Sequence, residues 1–186
     1  GRIMDAIYLC VNPAFKIENL NFLVSIQPGA KWIGKRWPRE KFIALIKEII
    51  RRYKNAYILL IGSNSEYAYN ESIVNSIKSK RVFNLSGKAN LSLVKALLKL
   101  SKLTVANDSG IAHLSSAVKT KTIILYGSTN PKHSKPHVES SIISIIFKNN
   151  FCKPCVGNIK HCPLNYKCMD VIDVKEVLGV VKSCLS

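Results

Sequence analysis

The stretch "LTVANDSGIAHLSSAVKTKTIILYG", residues 103–127, decides how this chain folds. Its opening apolar run reads as a strand over 102–107, closed by Asn107-Asp108-Ser109-Gly110. A short helix over 109–118 follows, with Ile111, Leu114 and Val118 on one side. A second apolar run, 122–127, ends at Gly127. Two strands that are apolar throughout, joined by an amphipathic helix, belong in a parallel sheet covered on both faces.

Working outward, the same alternation recurs. "FLVSIQ" (22–27) is a strand that stops at Pro28-Gly29. "PREKFIALIKEIIRRY" (38–53) sets Phe42, Leu45, Ile46, Ile49 and Tyr53 on one helical face, and Pro38 suits its first turn. "AYILLIG" (56–62) and "RVFNL" (81–85) read as strands, with helices over 66–79 and 91–101 after them. "SSIISIIF" (140–147) reads as an edge strand and "VKEVLGVVKSCL" (174–185) as a closing helix. The expected fold is α/β, a Rossmann-like parallel sheet with helices on both faces. Residues 1–21 show no period and are read as a linker or residual segment, leaving 22–186 as the domain.

Bulk properties narrow the classes. At 186 residues and 47% hydrophobic the chain can build a real core. No apolar run approaches the roughly 20 residues of a membrane helix, and the start lacks a secretory pattern. The expectation is a cytoplasmic protein, peripheral at most. Lys and Arg number 28 against 11 acids, a net charge of +17 that attracts polyanions. The cations are scattered and not interleaved with aromatics, so a stacking platform for nucleic acid is not expected.

In a parallel sheet, ligands bind beyond the carboxyl ends of the strands. Four strand ends here carry small or polar corners, at 28–30, 62–64, 107–110 and 127–129, and all four share one rim. At 107–110, Asp108 or Ser109 can cap the helix, whose first N–H groups form an anion site. Gly110 leaves room for a phosphate, and His113 leans back toward the same spot. In "PGAKWIGKRWP" (28–38), Lys31 precedes Trp32 and Lys35 and Arg36 stand between Trp32 and Trp37, cations suited to a phosphate from the other side. Glu66 either accepts from ribose hydroxyls or is a plain helix-start acid. "SGKAN" (86–90) lacks the glycine frame of a P-loop.

The segments "QPGAKWIGKRWPREKF", "NLSGKANLSLVKALL", "VANDSGIAHLSSAV", "LYGSTNP" and "CKPCVGNIKHCPLNYKCM", in that order, resemble the C-terminal half of glycosyltransferase family 9, the ADP-heptose:lipopolysaccharide heptosyltransferases. The resemblance covers residues 22–184. It implies the donor lobe of a two-lobed GT-B fold. It also implies an inverting transfer of heptose from ADP-heptose to the lipopolysaccharide inner core, with no catalytic cofactor. By position it implies donor-phosphate contact for Lys35, pyrophosphate contact for Ser109 and Gly110, a place near the sugar for Asp108, and the motif histidine for His113. Glu66 falls near the family's ribose-binding glutamate, and Arg36 stands beside Lys35 in the Lys-Arg-Trp-Pro motif. The catalytic base belongs to an N-terminal acceptor lobe that residues 1–20 cannot form. The expected partners are therefore ADP-heptose or a similar nucleotide sugar, a lipopolysaccharide core acceptor at the inner membrane, and that acceptor lobe, with no nucleic acid. Such a half would bind donor and transfer little alone. Two alternatives stay open: a family member glycosylating a protein or using another nucleotide sugar, and a non-catalytic basic module for nucleic acid or anionic surfaces.

Four of six cysteines, Cys152, Cys155, Cys162 and Cys168, cluster as C-x2-C-x6-C-x5-C. They could hold a structural zinc or iron ion with His161 in reserve, form disulfides, or remain thiols. His133 and His137 read as surface residues.

Overall fold

The computed structural model describes residues 22–148, 152, 155 and 162–186. The segment read as a linker, Cys10 and His161 lie outside the described residues. The elements run β1 (Leu23–Gln27), α1 (Arg39–Arg52), β2 (Tyr57–Leu60), α2 (Tyr67–Ile77), β3 (Val82–Asn84), α3 (Leu91–Leu100), β4 (Leu103–Asn107), α4 (Gly110–Ala117), β5 (Thr122–Tyr126), α5 (Pro131–Ser134), β6 (Ile143–Phe147), α6 (Lys167–Asp170) and α7 (Val174–Leu185). Short 3-10 turns occupy Ile33–Lys35 and Asn64–Glu66.

All six strands are parallel, in the order β3-β2-β1-β4-β5-β6. The chain builds outward from β1 to β3, then returns to the other side of β1 for β4. The strand order reverses between β1 and β4, where Val24 faces Leu103 and Gln27 faces Ala106. Diverging connections open a crevice at such a switch point.

Strand residues alternate between two apolar layers, as a doubly covered sheet requires. Val24, Ile58, Val105 and Ile123 face α1 and α7, while Leu23 and Leu59 meet Leu93 and Leu97 of α3. Phe42, Leu45, Ile46 and Ile49 of α1 are fully buried, each burial stabilising the fold by roughly 1.5–3 kcal/mol. Hydroxyls between the sheet and its helices are paired in several places. Ser115 of α4 donates to Thr104 Oγ1 at 2.8 Å and lies 2.9 Å from Thr122 Oγ1, tying that helix to β4 and β5.

Element boundaries differ from the sequence reading by one to three residues, the most at the last strand, which begins at Ile143 and not at 140. Pro38 sits at the N-cap of α1, not in its first turn. Sequence periodicity also leaves out α5 and α6, each four residues long and too short to show a period.

Candidate functional site

A crevice of about 1170 Å³ opens at the switch point, between the β1, β2 and β4 corners and the first turns of α3 and α4. One wall is polar and carries Lys35, Arg36, Glu66, Asp108, Ser109 and His113. The other is apolar, formed by Ile61, Leu91, Val94, Ile111, Leu114 and Ala117. Leu91 is 71% exposed at the start of α3, on this apolar wall.

The polar wall is held by a buried side chain that sequence reasoning passed over. Asn107 ends β4 with no solvent exposure. Its amide donates to the carbonyls of Pro28 (2.8 Å) and Gly29 (3.0 Å), and its Oδ1 accepts from the Trp37 backbone N–H at 3.1 Å. One amide therefore clamps both ends of the 28–37 loop. Trp37 anchors the far end, fully buried and edge-on to Phe42 at 4.9 Å, with its indole N–H donating to the Ile172 carbonyl. The only early signal for Asn107 was a polar residue inside an apolar strand.

Lys35, so positioned, meets Asp108 across the crevice at 2.5 Å. Thr129 from the β5 corner donates to the same Asp108 oxygen at 2.7 Å, and Lys35 also rests over the Trp32 ring. Burial, with the Asp108 charge next in weight, pushes the neighbouring Tyr126 hydroxyl up to about 12.

Neither Asp108 nor Ser109 caps α4, contrary to expectation. Asp108 is taken by Lys35 and Thr129, and the Ser109 hydroxyl donates to Gln27 Oε1 at 2.6 Å. Ser109 occupies the N-cap position without a side-chain bond to the helix. The first N–H groups of α4 therefore lack a side-chain cap, and a Cβ added at the exposed Gly110 would meet nothing within 4 Å. That corner has the room and polarity to take an anion.

Glu66 is a helix-start acid that also lines the crevice. Its Oε2 accepts from Ser63 N–H (2.7 Å) and Ser63 Oγ (2.8 Å), completing a capping box. Its other oxygen lies so close to Gly29 that a Cβ there would stand 1.8 Å from it. Only glycine allows that approach, which joins the β1 and β2 corners. Arg36 is partly committed to its own loop, donating from Nε to the Ala30 carbonyl at 2.8 Å beneath the Tyr69 ring. His113 lines the crevice from the first turn of α4 and is exposed.

None of the described cysteines lines this crevice. Cys155, Cys162 and Cys168 are free thiols, and burial plus the other three sulfurs of the cluster pushes Cys168 up to about 11. Among the described residues no group of three or more His, Cys, Asp or Glu side chains is arranged to hold a metal, so the structural zinc or iron site is unsupported. His133 and His137 are exposed.

Fold and crevice together define a Rossmann-like α/β domain with a crevice at the switch point. The chain belongs to the family described as "Glycosyltransferase family 9 (heptosyltransferase)", whose profile matches residues 14–164. It is 29% identical over 167 residues to the lipooligosaccharide heptosyltransferase 2 of Haemophilus influenzae, covering 81% of this chain and 48% of the relative. Its fold is similar to that of the Escherichia coli ADP-heptose lipopolysaccharide heptosyltransferase II, with a TM-score of 0.79 and 22% identity over all of this chain and 51% of that one. It is similar also to the Escherichia coli heptosyltransferase WaaC with ADP, with a TM-score of 0.68, 18% identity and coverage of 91% and 46%. The chain thus spans about half the length of the curated relatives it matches. No helix among the described residues is long and apolar enough to cross a membrane.

Proposed function

We propose that residues 22–186 form the donor-binding half of a heptosyltransferase, taking ADP-heptose or a close nucleotide sugar in the switch-point crevice. The observation that carries this reading is the α4 start, without a side-chain cap and facing Lys35. Helix N–H groups and an ammonium converge there on a space fit for a diphosphate. The apolar wall around Leu91 suits an adenine ring, and Glu66 faces where ribose hydroxyls would lie. Asp108 and His113 stand at the end where the sugar would project.

The chemistry follows from that placement. In an inverting transfer, the bond from the sugar's anomeric carbon to the β-phosphate oxygen breaks as an acceptor hydroxyl forms its own bond from the opposite face. Negative charge builds on the departing ADP. Lys35 and the α4 amides are aimed at that charge and stabilise it more in the transition state than in the bound donor. Lys35 can keep Asp108 while contacting a phosphate, since an ammonium has three donors. The acceptor's proton goes to a base on a second lobe, which also holds the lipopolysaccharide core sugar at the cytoplasmic face of the membrane. Donor binding is thus expected without turnover.

Calorimetry tests the reading directly. ADP and ADP-heptose should bind the isolated chain, and Lys35→Ala should weaken both by about 10- to 100-fold. No heat at millimolar nucleotide, or unchanged affinity in that variant, would overturn it.

A further inference from the structure

A parallel α/β sheet has two ends, and only the carboxyl end carries the crevice. The other end is made by five helix-to-strand connections, four of which read "RRYKNA" (51–56), "KSKR" (78–81), "KLSK" (99–102) and "VKTK" (118–121). These four contribute three, three, two and two cations and no carboxylate, while the fifth, 135–142, carries Lys135 and Glu139. More than a third of the chain's 28 Lys and Arg thus stand on one face, whereas Glu66 and Asp108 both lie at the crevice rim. Among the described residues, the one ion pair that touches these connections is Arg51 with Glu48.

From this geometry we propose that the underside of the sheet is a docking face for an anionic lipid bilayer. Two of the three arginines are already engaged. Arg51 binds Glu48, and Arg81 donates to the carbonyls of Ile50, Tyr53 and Lys54. The remaining charge is chiefly lysine, a point charge on a flexible stem that suits a diffuse field of headgroups better than the planar fork of arginine does. Lys78 and Lys119 hold left-handed backbone at φ 53° and 64°, positions where glycine would be unstrained. Lys99, Lys102, Lys119 and Lys121 ring a hollow of about 330 Å³, large enough for a phosphate headgroup; the end of α7 closes one side, where Lys121 donates to the Cys184 carbonyl at 3.0 Å. Leu100 is 44% exposed between Lys99 and Lys102, an apolar tip between cations. The aromatics of this end are packed inward, Phe22 against Tyr53 at 5.3 Å, so they offer no stacking surface for bases.

The experiment is cosedimentation of the full chain with vesicles of phosphatidylcholine alone or mixed with phosphatidylglycerol, at low and high salt. Binding should require the anionic lipid and weaken with salt. Replacing Lys78, Lys80, Lys119 and Lys121 together by Gln should lower it by roughly a hundredfold. The control replaces Lys47, Lys95, Lys132 and Lys175, exposed on helices elsewhere, and should retain most of the binding. ADP binding, read by calorimetry in both variants, should be unchanged, which keeps this face separable from the crevice. Equal losses in the two variants would overturn the proposal. So would anionic vesicles that fail to bind, or tighter salt-matched binding to RNA lost in the underside variant.

Discussion

Two residues separate what holds the crevice from what the crevice holds. Asn107 serves the first purpose: it satisfies two carbonyls and one N–H with a single amide. Asn107→Ala leaves the Trp37 N–H buried without an acceptor. It should destabilise the domain by about 2–3 kcal/mol, a fall in Tm of roughly 5–10 °C by thermal denaturation. Gly29 serves the second. Gly29→Ala would drive a Cβ into the Glu66 carboxylate, whose flexible end can swing away only by breaking its bonds to Ser63. That variant should weaken ADP binding by about tenfold while costing only about 1 kcal/mol of stability. Combined with Glu66→Ala it should add nothing further to the loss of affinity, because both changes remove one interaction. Fully additive effects would show that the two residues act apart.

At the scale of elements, α4 and α6 make opposite demands. The α4 start is open, so Gly110→Ala meets no atom of the folded chain. Its Tm should stay within the shift expected of about 1 kcal/mol, while ADP affinity falls tenfold or more, since the new methyl occupies space the phosphate needs. Unchanged affinity would remove the phosphate from that helix end. The α6 turn instead buries Cys168 against the β5 corner, where a Cβ on Gly127 would strike Met169. Burial raises the Cys168 thiol from its ordinary 9.0 to about 11, so the folded chain holds this proton more tightly than the unfolded chain. That contribution to stability is complete below pH about 9 and is lost as pH rises through 11. Cys168→Ala should flatten the decline of Tm across that window. An alkaline decline as steep as the parent's would show that this thiol does not drive it.

Across the whole molecule the two ends of the sheet divide the electrostatic work. The crevice mixes cations with Glu66 and Asp108, and the far end gathers lysines. Because ADP should bind only the folded domain, its addition at 100 times Kd should raise stability by about 2.7 kcal/mol. Lys35→Ala should abolish most of that shift, measured as the ADP-dependent change in Tm. Much of this architecture was legible in the residues. Apolar runs that alternate with amphipathic helices leave few options besides a doubly covered parallel sheet, and that topology sends every small polar corner to one rim. Local sequence also marked Lys35, Arg36, Glu66, Asp108, Ser109, Gly110 and His113, which the fold does bring to one crevice. Periodicity and corner chemistry are local properties, so the chain's own order could specify them. Partner choice is not local. The reach of Asn107 to Pro28, the diversion of Ser109 to Gln27 and the pairing of Asp108 with Lys35 join residues 73 to 82 positions apart. Only the packed sheet decides which atoms those side chains meet, and so it alone determined that the α4 start would stand without a cap.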